Sequence, residues 1–235
     1  MRAQVEGVPS SSRLSSRAGP QDASAFLPAE RSVTALREAA RGCRGCSLWE
    51  RGTQTVFGAG AVRAEVMLVG EQPGNEEDLS GVPFVGPAGR LLDSALEAAG
   101  IDRRRAYVTN AVKHFKWEPR GKKRIHQKPG AGEVRACSPW LLAEIAAVRP
   151  AALVCLGATA AQALLGKAFR VTARRGELLA TPFAPVTMAT VHPSSILRAP
   201  DGETRRAELA RLVEDLRTLR RAVDVATVSG EGPGP

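Results

Sequence analysis

Glu65-Val66-Met67-Leu68-Val69-Gly70-Glu71-Gln72-Pro73-Gly74 is the stretch that decides the fold. A short apolar run stops at Gly70. After a polar turn, Ala88 to Ala99 carries Leu91, Leu92, Ala95, Leu96 and Ala99 on one helical face, with Gly100 as its stop. Strand followed by helix is a first α/β unit, and the pattern recurs. Arg105 to Asn110 reads as a strand, Trp140 to Val148 as a helix, Ala151 to Leu156 as a strand and Ala158 to Leu165 as a helix. Val186 to Val191 makes a fourth strand, and Glu203 to Arg221 a long helix that buries Leu209, Leu212, Val213, Leu216 and Leu219. A short helix, Ser32 to Arg41, precedes them all. The alternation predicts an α/β protein of three layers, α/β/α, around a mostly parallel four-stranded sheet. In such sheets ligands lie beyond the carboxyl ends of the strands. Those ends are Gly70 to Gly74, Asn110, Gly157 to Thr159, and His192 to Ser195.

The chain has 235 residues, 43% of them hydrophobic, enough for one ordinary core. A single domain is expected over 29–221. Residues 1–28 mix Ser, Arg, Gly and Pro, and 222–235 end in Ser-Gly-Glu-Gly-Pro-Gly-Pro, so both are expected as disordered tails. No apolar run is long enough for a bilayer and the amino terminus lacks a secretory pattern, which predicts a cytoplasmic protein without a membrane partner. A net charge of +9 makes nucleic acid or an anionic surface the expected partner class. With only 4% aromatic residues, a single-strand binder built on stacking platforms is disfavoured. The charge is concentrated: Lys113 to Lys128 holds five of the six lysines with Arg120, Arg124 and His126, centred on Lys122-Lys123-Arg124-Ile125-His126. A cationic loop carrying a titratable imidazole could dock a polyanion and perform chemistry on it.

The four cysteines are Cys43, Cys46, Cys137 and Cys155. In a reducing compartment they are poor candidates for disulfides. Cys43 and Cys46, two residues apart, can take two corners of a metal or cluster, with the other two brought in by the fold. Spacing alone leaves an iron-sulfur cluster, structural zinc and unliganded thiols open. Cys155, inside an apolar strand, could equally be a small buried hydrophobe.

Gly70 to Gly74 after a strand, then Val82-Pro83-Phe84-Val85-Gly86-Pro87-Ala88-Gly89, Tyr107-Val108-Thr109-Asn110 and His192-Pro193-Ser194-Ser195 resemble the uracil-DNA glycosylase superfamily. The cysteine spacing is similar to its iron-sulfur branch, family four. Arg124-Ile125-His126 in a basic loop, together with Gln72, resembles the UdgX-type subgroup, whose members become covalently joined to their DNA. The likeness runs from about Cys43 to Leu219. One departure is Lys123, where the subgroup's pattern has another arginine.

The resemblance implies a uracil-DNA glycosylase-like fold and excision of uracil from DNA, single strands preferred, by a monomer. It implies that Glu71 stabilises the cationic sugar, while His192 hydrogen-bonds the uracil oxygen that gains charge. Asn110 would pair with the uracil edge, Phe84 would stack on the base, and Gly70 would line its pocket. His126, with Gln72 beside it, would attack the anomeric carbon in place of water and stay bonded to it. Lys122, Lys123, Arg124, Ser194, Ser195 and Arg198 would approach the DNA backbone. The four cysteines would hold a structural 4Fe-4S cluster. Two alternatives accompany this: a multiple-turnover family-four glycosylase, and a DNA-binding iron-sulfur module without catalysis.

Overall fold

The structure is a computed structural model that describes residues 22–228, with side chains described through residue 225. Among the described residues, eight strands and eight α-helices follow in chain order. They are α1 (Val33–Ala40), β1 (Ala59–Gly60), β2 (Val66–Gly70), α2 (Asn75–Ser80), α3 (Pro87–Ala98), β3 (Ala106–Asn110), β4 (Trp117–Arg120) and β5 (Lys123–His126). Then come α4 (Ala131–Val148), β6 (Ala152–Leu156), α5 (Ala158–Leu165), α6 (Val171–Arg174), β7 (Leu178–Thr181), β8 (Ala184–Thr190), α7 (Pro193–Leu197) and α8 (Gly202–Val228).

The main sheet has the order β1-β3-β2-β6-β8-β7. Its centre, β3-β2-β6-β8, is parallel and consists of the four expected strands. Two antiparallel edge strands raise the expected four to six. Neither edge carries a strand pattern strong enough to read: β1 has two residues, and β7 alternates between exposed and half-buried positions.

Successive side chains of a strand face opposite sides, so each strand feeds two cores. Val66, Leu68, Val154 and Leu156 pack with Leu92, Leu96, Ile196, Leu212 and Leu216 of α3, α7 and α8. Met67, Val69, Leu153 and Cys155 pack with Leu141, Ile145, Ala160 and Ala161 of α4 and α5. The result is the expected three layers. Burying each leucine contributes roughly 1.5–3 kcal/mol.

Helix ends obey local chemistry. Ser32 caps α1 through its hydroxyl, which accepts from Ala35 N at 3.2 Å. Helix α4 begins at Ala131, nine residues before the expected start, and runs through Pro139. Proline has no N–H to give the helix, and the Ser138 hydroxyl donates to the Arg135 carbonyl at 2.8 Å instead.

The expected tails lie mostly in 1–21 and 229–235, outside the described residues. Of the remainder, Ala23–Phe26 forms a 3-10 turn capped by Asp22, with Ala23 fully buried, and α8 continues to Val228 with Val223 buried. Packing extends past both expected boundaries because these short segments cover apolar surface of the cysteine region and of the α3–α8 layer. Among the described residues no helix is long and apolar enough to cross a membrane.

Candidate active site

The basic segment, read as a loop, is a hairpin. Strands β4 and β5 pair antiparallel from Trp117↔His126 to Arg120↔Lys123, with Gly121 at φ 59° supplying the turn. Its cationic side chains do not share one fate. Lys113 is buried, with its ammonium on Glu144, Thr109 Oγ1 (2.7 Å) and the Asn110 carbonyl (2.8 Å). Lys116 pairs with Glu133 at 2.8 Å. Arg124, expected at the DNA backbone, reaches inward instead: it pairs with buried Asp78 at 2.6 Å and bonds Asn75 at 2.7 Å. It also lies over Phe115 and Trp117, each 5.4 Å from its guanidinium. A guanidinium with those partners clamps the hairpin to α2. Lys122 and Lys123 stay exposed at the turn.

Gln72 is a second clamp. Its amide donates to the Gln127 carbonyl at 2.9 Å and the Lys116 carbonyl at 3.2 Å, and accepts from Lys116 N at 3.1 Å. Both feet of the hairpin are thus tied to the turn after β2, and His126 swings over the strand ends. Its Nε2 stands 3.6 Å from Glu71 Oε1, too far for a hydrogen bond. Burial holds the imidazole below the ordinary histidine value, Glu71 opposes that, Arg198 reinforces it, and a hydrogen bond to its own backbone opposes it as well. Nε2 faces the Glu71 carboxylate across that gap.

His192 is the N-cap of α7. Its Nδ1 accepts from Ser194 N at 3.2 Å and lies 2.9 Å from Ser194 Oγ, which fixes the proton on Nε2. Burial, with Arg198 and His126 adding to it, pushes this histidine down to about 4, so it is a neutral donor at pH 7. Ser195 donates its hydroxyl to the His192 carbonyl at 2.7 Å. Both serines, expected at the DNA backbone, are engaged in holding this turn, whereas Arg198 is exposed and close enough to influence both imidazoles.

Phe84 holds φ at 59°, a left-handed conformation that costs an aromatic residue about 1–3 kcal/mol. The neighbouring loop enforces it. Buried Glu77 accepts from Gly86 N at 3.0 Å, and any side chain on Gly89 would collide with the Phe84 carbonyl. A Cβ on Gly70 would likewise collide with the Asn110 amide oxygen and stand 2.7 Å from Phe84 Cζ. Gly70 is the floor on which Asn110 and Phe84 meet, and the Phe84 ring lies 6.1 Å from that of His192.

Glu71, Gln72, Phe84, Asn110, His126 and His192 thus converge beyond the strand ends. Reading the sequence missed Glu77, Asp78 and Glu144, which hold these groups from elsewhere. No local spacing links Asp78 to Arg124 or Glu144 to Lys113.

The cysteines gather less completely. Cys43, Cys46 and Cys137 lie near enough to influence one another, and burial pushes Cys137 up to about 12 while the Lys113 ammonium and backbone N–H pull it down. Trp140 Nε1 donates to Cys43 Sγ at 3.1 Å, and Lys113 N to Cys137 Sγ at 3.3 Å, contacts that suit thiolate ligands. Cys155 is apart, packed among Met67, Val69 and Leu141 on β6, where burial alone pushes it to about 12. Among the described residues no three His, Cys, Asp or Glu side chains are close enough to hold a metal ion. The expected four-cysteine set is therefore not assembled: Cys43, Cys46 and Cys137 are neighbours without closing a site, and Cys155 stands apart.

A parallel sheet whose strand ends collect a carboxylate, two imidazoles, an amide and a strained aromatic ring defines an α/β enzyme-type cleft. The profile of the uracil DNA glycosylase superfamily matches residues 57–217, and the chain belongs to that superfamily. The type-4 uracil-DNA glycosylase of Thermotoga maritima is 36% identical over 181 residues, covering 77% of this chain and 91% of its own. Those of Sulfurisphaera tokodaii (33% over 178 residues; 72% and 78%) and Pyrobaculum aerophilum (34% over 172 residues; 70% and 84%) are also similar.

Proposed function

We propose that the chain is a uracil-DNA glycosylase that excises uracil from single-stranded DNA as a monomer and is then trapped on the abasic sugar through His126. The observation that carries this reading is the placement of His126 Nε2 beyond the strand ends, 3.6 Å from Glu71 Oε1. The family and the names of the relatives supply the substrate class.

The bond between the sugar's anomeric carbon and the base nitrogen breaks, and its electron pair leaves with uracil. His192 Nε2–H donates to the uracil oxygen that gains charge, and Asn110 reads the base edge over Gly70 with Phe84 stacked on it. The Glu71 carboxylate faces the sugar cation. His126 Nε2 forms the new carbon–nitrogen bond, and its Nδ1 proton is released as the uracil anion takes one up. Lys122, Lys123 and Arg198 meet phosphates, and Arg124 keeps His126 in place. In this reading Cys43, Cys46 and Cys137 would be the residues to hold an iron-sulfur cluster, whose part would be structural, and Cys155 lies apart from them on β6.

The second reading is a multiple-turnover glycosylase in which water occupies the place of Nε2; the type-4 names of the relatives favour it. One assay separates them. Incubated with a uracil-containing single-stranded oligonucleotide, the protein should form a species that survives boiling in detergent, at no more than one DNA per chain, and none with thymine. Free abasic product accumulating beyond one equivalent, with no such species, would establish the second reading.

A further inference from the structure

Thr159 carries no role in the reading above, yet its hydroxyl donates to Glu71 Oε2. Among the described residues it is the hydrogen-bond donor to that carboxylate. It sits in the first turn of α5 and is 7% exposed. There the preceding backbone has not yet entered the helix, so no carbonyl four residues back claims the hydroxyl; branching at Cβ restricts its rotation. Gly157, at φ 88°, turns the chain from β6 into α5, and a Cβ there would lie 3.0 Å from His192 Cβ. Thr159 is thereby brought to the same strand-end cleft as His192.

A glutamate has three rotatable bonds, and a partly exposed one samples several rotamers unless something holds it. Engaging Oε2 leaves Oε1 as the oxygen that faces His126 Nε2. We propose that Thr159 is a positioning residue that fixes which Glu71 oxygen faces the sugar and the attacking imidazole. The inference rests on the glycosylase reading and adds a residue to it. Thr159 touches neither the base nor the sugar; it acts through Glu71.

The test compares wild type, Thr159→Val and Thr159→Ser in single-turnover reactions at saturating uracil-containing oligonucleotide. Affinity for a thymine oligonucleotide of the same sequence and the thermal midpoint are measured alongside. Losing a hydrogen bond to a charged group should slow uracil release by about ten- to a hundredfold in the valine variant. DNA affinity and midpoint should hold, and serine should restore the rate. Wild-type rates in Thr159→Val, a loss confined to DNA affinity or folding, or a serine variant as slow as valine would each overturn the proposal. Wild type that releases no uracil would overturn the glycosylase reading itself, and this inference with it.

Discussion

His126→Ala should abolish the denaturation-resistant adduct while uracil release continues. The side chain is half exposed on β5, and the hairpin is held by Arg124 on Asp78 and Gln72 on both feet, none of which involves the imidazole. Removing it should therefore leave the fold and the cleft in place. In the proposed reading Glu71, Asn110 and His192 still supply the groups that break the bond. Water enters the space left by the ring, and free abasic product should exceed one equivalent per chain. A denaturing gel and a uracil-release assay on the same samples read both quantities. An adduct that persists in the alanine variant removes His126 as the nucleophile. Loss of uracil release together with the adduct would make it part of bond cleavage instead.

Lys113→Met should cost about 3–5 kcal/mol of stability, the usual penalty for leaving one partner of a buried pair uncompensated. Glu144 is fully buried and also accepts from Gly58 N at 3.0 Å, Tyr107 Oη at 2.8 Å and Thr109 Oγ1 at 2.9 Å. Burial, with that carboxylate alongside, drives the Tyr107 hydroxyl far above its ordinary range, so it remains a donor. Four donors meet on one carboxylate whose charge Lys113 balances. Urea unfolding measures the loss, and Lys113→Met with Glu144→Gln should recover part of it by removing the stranded charge. A loss below about 1 kcal/mol in the single variant would show that the pair is not buried as described.

The sheet's centre was legible because a buried parallel strand is an apolar run, and Val66 to Val69, Ala106 to Val108 and Ala152 to Leu156 are such runs. Placing ligands at strand ends then selects Glu71, Asn110 and His192 with no three-dimensional information. Composition cannot sort the cations. Lys113, Arg124 and Lys122 look alike in sequence, and become a buried counter-ion, a clamp and a free surface charge because Glu144, Asp78 and solvent respectively await them. The hairpin was hidden for a related reason: Pro119 and the polar run of β4 and β5 lack the apolar alternation of a strand with a buried face. The Phe84 strain was unreadable as well, since Gly89 and Gly86 take their meaning only from the closeness of the Phe84 carbonyl and Glu77. Cys155 shows the limit of spacing: its place on a strand was visible, but its distance from the other three thiols is a property of the packed layers.

In the proposed reaction one imidazole nitrogen becomes bonded to the sugar, and the nearby lysines give it a distinguishable rival. An abasic sugar opens to an aldehyde, and Lys122 or Lys123, exposed at the hairpin turn, could capture it as a Schiff base. The direct measurement is peptide mass spectrometry of the nuclease-trimmed adduct, formed without reductant. The added deoxyribose mass is expected on His126. A modification on Lys122 or Lys123, or one recovered only after borohydride reduction, would contradict it.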